Sequence, residues 1–510
     1  RPQFCIWLPI ADYDRFIASL GGSAGQKITG ITIAGEDLLV ARQEKWALVM
    51  DPDQRTRMEG MLDASPPPQP TLKWTKWIDT QDVAVVVLSS GVRDALDWAM
   101  ADDAANAAGQ AAEEIAGDDI FGPAEADDSA PRRGPPRQTS FSIVTKVQLL
   151  MRYWLTRSPR VLEWAKGTEA ISVGMRLDDQ GNAHAGMRVA FGNNSDDVRA
   201  ISRIADQGET LPALDQGDDF IVTATGALPP VLASTAASAY VRALIDEMKT
   251  EEHLAIEEAT LERFYQEVEH AADMVESIAV FARPGDEQDG VYTNSFLAVR
   301  VASADAFVDH AGEVMRLWNQ MNRDSQRGTQ LIFDVDDMTI GERTAKQYSI
   351  DIAAADGSPA LPEIRQAMEK LFGPGGKMRL FVVPVDDRTA LLAAATPEQI
   401  AAILETLELK QANDWNREPF GVTNALLPGD SDWRLFFSPH GYNRWLARKM
   451  NAITGPVFGG PLVKDFPASP PVGVAGGIKD QELWADFVVP AQTIRALSVY
   501  RQPRGLQIQR

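Results

Sequence analysis

The chain has 510 residues, enough for several buried cores, and length alone suggests about three or four domains. Its 49 Lys and Arg stand against 72 Asp and Glu, a net charge of −23, which argues against a generally basic surface for nucleic acid or anionic lipid. The single cysteine, Cys5, excludes an intrachain disulfide and any zinc or iron–sulfur site built on several thiolates.

The acidic field favours solubility, cations or a basic partner. Cys5 lies in the apolar run Phe4-Cys5-Ile6-Trp7-Leu8 and is read as a buried structural thiol. No run approaches the roughly 18–20 apolar residues of a membrane-spanning helix, so no transmembrane segment is expected. The chain starts at Arg1 rather than Met, from which removal of an export signal is expected.

Residues 4–10 read as a strand. Asp12 to Leu20 reads as a helix, with Tyr13, Phe16, Ile17 and Leu20 on one face and Gly21-Gly22 as its stop. Ile28–Ile33 and Trp46–Met50 read as strands. Asp51-Pro52-Asp53-Gln54 then offers a helix cap, Pro at the first helical position and a Gln that can reach back to the cap. The opening unit is thus β-α-β-β-α. Ser65 to Pro70 is a stiff connector, Asp82–Leu88 a well-buried strand, and a helix follows from about Val92, turning Ala-rich and acidic by Ala101–Ile115.

Residues 117–140 mix Gly, Pro, Asp and Arg without periodicity and read as a linker. Phe141 to Trp164 reads as an apolar helix. Ile171–Leu177 and Ala183–Phe191 flank Asp178-Asp179-Gln180-Gly181-Asn182, a hairpin signal. Ser195 opens another helix and Asp219–Ala224 is a strand. Ser234 to Ala279 reads as the longest helical stretch, acidic in its second half.

Residues 276–410 restart the opening unit. Phe296–Ala302 is a strand and Ala304-Asp305-Ala306-Phe307 opens a helix, matching Asp14-x-Phe16 of the first. Leu331–Asp336 and Gln347–Ile352 read as paired strands, Leu361–Leu371 as a helix and Met378–Val385 as a strand. Leu391 to Ala395 then runs into Thr396-Pro397-Glu398-Gln399, the same strand–cap–helix grammar as at Asp51. The last hundred residues are rich in Pro, Gly and Trp and close with a strand, Leu483–Pro490, and a short helix, Ala491–Val499. The expected fold is α+β: tandem β-α-β-β-α modules, mostly antiparallel sheets, helices packed on one face. The expected domains are 1–116, a linker over 117–140, 141–275, 276–410 and 411–510.

No motif assigns chemistry. The histidines His184, His253, His270, His310 and His440 form no HExxH or HxH pattern. Glu267 and His270 have the Glu-x-x-His spacing of di-iron helices, but such a site needs a second copy, and none exists; a solvated acidic helix is the reading. His253 with Glu257 reads the same way. Gly373-Pro374-Gly375-Gly376-Lys377 lacks the Ser or Thr and the helix of a phosphate loop and reads as a turn. Gly21 to Gly25 follows a helix and is a helix stop. Asp334, Asp336 and Asp337 lack the glycine of a calcium loop and read as a strand face near a turn. Lys73-Trp74-Thr75-Lys76-Trp77 reads as a strand with one apolar face. No residue is assigned as catalytic, cofactor-binding or metal-ligating, and no cofactor is expected.

The stretch Leu8-Pro9-Ile10-Ala11-Asp12-Tyr13-Asp14-Arg15-Phe16 resembles a recurring start in exported bacterial proteins of no known activity. Pro470-Pro471-Val472-Gly473, leading to Phe487-Val488-Val489-Pro490, resembles their later part. The resemblance implies repeated α/β modules and export, and no functional residue follows from it. The expectation is therefore a non-catalytic, oligomeric scaffold or assembly protein of the bacterial cell envelope, in the periplasm or on the cell surface. Its partners would be itself or other envelope proteins, and no nucleic acid. The alternative is a ligand-binding protein or hydrolase with a cleft between modules lined by Asp, Glu and Trp.

Overall fold

The computed structural model describes most of residues 5–63 and 74–88, residues 167–192, parts of 210–245 and, with short breaks, 257–501. The chain divides into two compact units: Arg1–Gly174 with Val189–Gly192, and Met175–Arg188 with Asn193–Arg510. The expected linker over 117–140, the helices expected from Val92, over Phe141–Trp164 and after Ser195, and the start of the long acidic stretch lie outside the described residues.

The first unit opens with β1 (Cys5–Pro9), α1 (Tyr13–Ser19), β2 (Ile28–Ile33), β3 (Glu36–Gln43) and β4 (Trp46–Met50). A 3-10 turn, Pro52–Gln54, leads into α2 (Arg55–Asp63). The four strands form one antiparallel sheet in the order β1-β4-β3-β2. Consecutive apolar residues supply both faces. Tyr13 and Ile17 of α1 pack with Ile31, Val40, Ala47 and Val49 on one side; Met58 of α2 packs with Ile28, Leu39, Ala41, Leu48 and Met50 on the other. Strand β3 was not expected, because Glu36, Asp37 and Arg42 break its apolar pattern. The opening unit is therefore β-α-β-β-β-α. The helix stop is as expected: Gly21 takes φ 73° and the Gly22 N–H donates to the Ile17 carbonyl at 3.0 Å.

The aromatic and basic run at Lys73–Trp77 is not a strand. It enters a helical turn, α3 (Thr75–Ile78), where Trp74 and Ile78, four residues apart, are both buried beside Ala84 of β5 (Val83–Leu88). Trp74 and Trp77 are three residues apart, which a strand would send to opposite faces and a helical turn brings together beside Ile78.

The hairpin of β6 (Thr168–Leu177) and β7 (Ala183–Phe191) forms where expected. The second unit continues with β8 (Val222–Ala227), α4 (Glu258–Asp273), β9 (Val275–Ala282), β10 (Ser295–Val301) and α5 (Ala304–Asp324). Next come β11 (Thr329–Ile340), β12 (Arg343–Ala354), α6 (Pro362–Phe372), β13 (Met378–Asp386), β14 (Thr389–Ala394) and α7 (Pro397–Leu409). The chain closes with α8 (Gly421–Asn424), β15 (Trp433–Phe437), α9 (Pro439–Phe458), β16 (Val472–Lys479), β17 (Glu482–Val489) and α10 (Ala491–Arg501). Ten of these strands stand in the order β11-β12-β13-β14-β10-β9-β8-β15-β16-β17. Each ladder whose register is described is antiparallel. The fold is α+β.

Helices cover both faces of this sheet rather than the one expected. On one face Phe296 and Ala298 of β10 and Leu391 and Ala393 of β14 meet Ile400, Ile403, Leu404 and Leu407 of α7. On the other, Val299 and Val301 of β10 and Ala390 of β14 meet Ala304 and Phe307 of α5. Strands apolar at successive positions have two faces to bury. The first face continues into an aromatic cluster, with Phe436 5.0 Å from Trp415 and 5.1 Å from Phe420 between ring centroids.

Three expectations are corrected. The long helix ends at Asp273, not Ala279: Val275, Ser277, Ala279 and Phe281 alternate inward as strand β9. The strand placed at Asp219–Ala224 runs Val222–Ala227. The Pro/Gly/Trp-rich end contains the 20-residue helix α9 and two central strands. Its glycines are places of close approach, since a Cβ on Gly441 would strike the Phe220 carbonyl and one on Gly476 the Trp433 indole.

Helices begin directly after strands through hydroxyl caps. The capping box at Thr396 is formed: its N–H donates to Gln399 Oε1 at 3.0 Å, and the Gln399 N–H donates to Thr396 Oγ1 at 3.4 Å. Gln399 Nε2 also donates to Asp289 at 3.1 Å. Ser438 Oγ accepts from the Gly441 N–H at 3.0 Å, ahead of Pro439, and Ser303 Oγ from the Ala306 N–H at 3.4 Å. Replacing Thr396 by Ala is expected to cost about 1 kcal/mol, and Phe436→Ala about 3–5 kcal/mol, read from urea unfolding midpoints.

Candidate functional site

The strand pairing sorts the side chains of β6, β7 and β17 by charge. On one face lie Arg176, His184, Arg188, Glu482 and Asp486. Arg176 donates to His184 Nδ1 at 3.5 Å, and Arg188 makes a two-pronged contact with Asp486 at 2.9 and 3.0 Å. Arg188 also lies 3.8 Å from Glu482 and over the Trp484 ring at 5.6 Å. Successive residues of a strand point to opposite faces. The other face therefore carries Met175 and Leu177 of β6 (with Val173 two residues earlier), Ala183, Ala185 and Met187 of β7, and Leu483, Ala485 and Phe487 of β17. Apart from Glu169 at the start of β6, these rows hold no charge. Met175 and Leu177 are 59% and 65% exposed, and Phe487 41%, so the face is uncovered. The hairpin was legible in the sequence. Its two-faced character was not read, although Ile171, Val173, Met175 and Leu177 alternate with polar or small residues.

The turn that joins β6 to β7 is held by one carboxylate. Asp178 accepts from the N–H groups of Gln180 and Asn182 at 3.0 and 2.8 Å, from the Asn182 amide at 2.8 Å and from His184 Nε2 at 3.2 Å. These donors, Asn182 foremost, hold its pKa well below the usual carboxylate range. The side-chain oxygen of Asn182 accepts from the Ala491 N–H at 2.8 Å, which ties the turn to the start of α10.

Other residues singled out in the sequence fall as follows. Asp334, Asp336 and Asp337 lie on β11, the last strand of its sheet in the described order; Lys346 reaches Asp337 at 2.7 Å, and Lys377 lies 4.0 Å from Asp334. Charge along such a strand discourages edge-to-edge pairing. Gly373, Gly375 and Gly376 take φ of 86°, 83° and 66°, a turn from α6 into β13 as expected. His440 Nδ1 donates to the Phe466 carbonyl at 2.7 Å. His253 lies outside the described residues. Glu267 and His270 of α4 do meet a third group: His310 of α5 stands 2.7 Å from Glu267, Nδ1 to Oε2, and 5.7 Å from His270 between ring centroids. Sequence spacing gave the first two residues only; the third comes from a separate helix.

A pocket with a cavity volume of about 270 Å³ opens beside the start of α7. Asp289, Gln347, Arg379 and Thr396 supply its polar wall, and Tyr292, Phe372 and Phe381 an aromatic one. Tyr292 stacks on Phe372 at 5.3 Å. Among the described residues no Glu or Trp lines it. Among the described residues no helix is long and apolar enough to cross a membrane.

Because the pKa of Asp178 is depressed on folding, its contribution is complete above the unfolded value of about 3.9 and fades as pH falls through the folded one. Asp178→Asn is expected to be less stable than the parent at pH 7. The gap should narrow below about pH 4, as read from denaturant midpoints across pH. No protein family, curated protein or solved structure matches the chain.

Proposed function

We propose that the protein is a non-catalytic, exported protein that assembles with copies of itself at the bacterial cell envelope. The observation that carries this reading is the uncharged, uncovered face of Met175, Leu177, Met187 and Phe487. A chain of net charge −23 repels its own copies except where charge is absent. The polar members of the same strands are gathered on the opposite side. Exposed apolar area of this kind marks contact with another protein surface.

Repetition supports a modular scaffold. Reading outward from the central pair β8 and β15, each strand leads into a helix, then an antiparallel hairpin, then a helix: β8, α4, β9–β10, α5 on one side, and β15, α9, β16–β17, α10 on the other. We take these as two β-α-β-β-α modules. Export and placement in the periplasm or on the cell surface rest on the resemblance of the opening and closing stretches. Other envelope proteins are further partners on this reading.

A second reading, small-ligand binding, is favoured by the pocket beside Thr396, where Asp289 and Arg379 bring both charges to an aromatic wall. Thermal-shift screening with zwitterionic and sugar ligands tests it; stabilisation lost in Arg379→Ala supports it, and no shift with any of them rejects it.

Light scattering after size exclusion tests the assembly. The parent is expected at a multiple of 55.7 kDa. Met175→Glu with Leu177→Glu is expected to return it to the single-chain mass with an unchanged circular dichroism spectrum. A parent that stays monomeric at tens of micromolar overturns the reading, and a folded double variant that still assembles overturns the choice of face.

A further inference from the structure

Helices α4 and α5 pack antiparallel. Thr260 lies by Gln320 at 3.4 Å, Arg263 by Glu313 at 2.7 Å, Phe264 by Trp318 at 5.9 Å and Glu267 by His310 at 2.7 Å, so one helix ascends as the other descends. Leu261, Phe264, Tyr265 and Val268 bury against Leu317 and Met321 and fix the pair. This packing brings Glu267 and His270, one turn apart on α4, to His310 on α5. The donor atoms of all three lie within 4.8 Å of one another.

From this geometry we infer that Glu267, His270 and His310 form a binding site for one divalent transition-metal ion. The donor set is two imidazole nitrogens and one carboxylate oxygen. Such a set suits zinc and its first-row neighbours; calcium and magnesium take oxygen ligands instead. Two ligands on tetrahedral zinc stand about 3.3 Å apart given its bond lengths. The Glu267–His310 pair is already closer than that, and closing the remainder from within 4.8 Å needs at most about 1.5 Å of side-chain movement. A plain ion pair would explain one histidine beside Glu267 but not the second: two imidazolium rings repel each other, whereas a metal binds both in the neutral form.

Two neighbouring carboxylates are already engaged by arginines. Glu313 is engaged by Arg263 and by Arg316 at 2.6 Å, and Glu269 by Arg242 at 3.7 Å. His270 is exposed, and Glu267 and His310 are partly so, which gives an ion a way in and leaves a coordination position for water. The net charge of the chain draws cations. Bound there, the ion staples α4 to α5 near the C-terminal end of the first and the N-terminal half of the second.

The test is calorimetric titration of the full chain, stripped with a chelator, with zinc chloride. One equivalent should bind, and the melting temperature should rise with zinc. Cobalt chloride should give the visible d–d bands of a low-coordinate site. His270→Ala, His310→Ala and Glu267→Gln should each weaken zinc by more than the roughly 10–100-fold that loss of an outer partner costs. His440→Gln, on α9, should bind as the parent does. Melts without zinc establish that each variant folds. Absence of one-to-one uptake overturns the site, as does a folded His310→Ala that binds zinc as tightly as the parent. Neither result depends on whether the protein assembles.

Discussion

Two-sided burial governs this chain. Strands β3 and β4 of the first unit and β10 and β14 of the second are apolar at consecutive positions, so each sheet needs cover above and below there. Leu38 to Ala41 and Ala47 to Met50 feed α1 on one side and α2 on the other. In the second unit α7 takes one face and α5 the opposite one. The chain must therefore leave a strand and cross over a face at once, and a helix starting without delay does this. Ser303, Thr396 and Ser438 each stand at such a departure and satisfy a helix N–H that no carbonyl can reach.

Local chemistry was the part most open to reading. The Thr396 box, the glycine stop at Gly21-Gly22, the Asp178 turn and the Gly373–Gly376 turn are each encoded in four or five adjacent residues, and each forms as read. Patterns that depend on distant packing were less legible. Strand β3 hid behind its charged ends. Helix α9 hid in a segment whose glycines suggested irregular chain, although Trp433 to Phe437 followed by Ser438-Pro439 repeats the strand–cap–Pro signal already noticed elsewhere. Lys73–Trp77 was misread over five residues: its tryptophans, three apart, fit a helical turn rather than a strand face, and Ile78 completes the apolar side of that turn.

The site residues follow the same division. Glu267 and His270 share a helix face by spacing, but nothing in sequence reports that α5 lies antiparallel with His310 at the same level. Likewise, the apolar row of β6 is visible in its alternation. That it remains uncovered depends on where the helices stop. Among the described residues, cover is dense over β10 and β14, whereas Met175, Leu177 and Phe487 stay exposed on the face opposite Arg188 and Asp486.

The pairing of β8 with β15 sets the order in which the second unit can be made. Trp433 lies opposite Gly226, 207 positions later in the chain. As the chain leaves the ribosome, β8 can zip onto β9 and β10 early, but its other edge waits for more than two hundred further residues. Contacts this far apart close slowly, because the loop must be ordered before it is rewarded. A nascent chain thus carries an open strand edge through 207 of its 510 residues of synthesis, a hazard for pairing with the wrong partner. The short length of β8, six residues with a glycine among them, keeps that edge a poor template until β15 arrives.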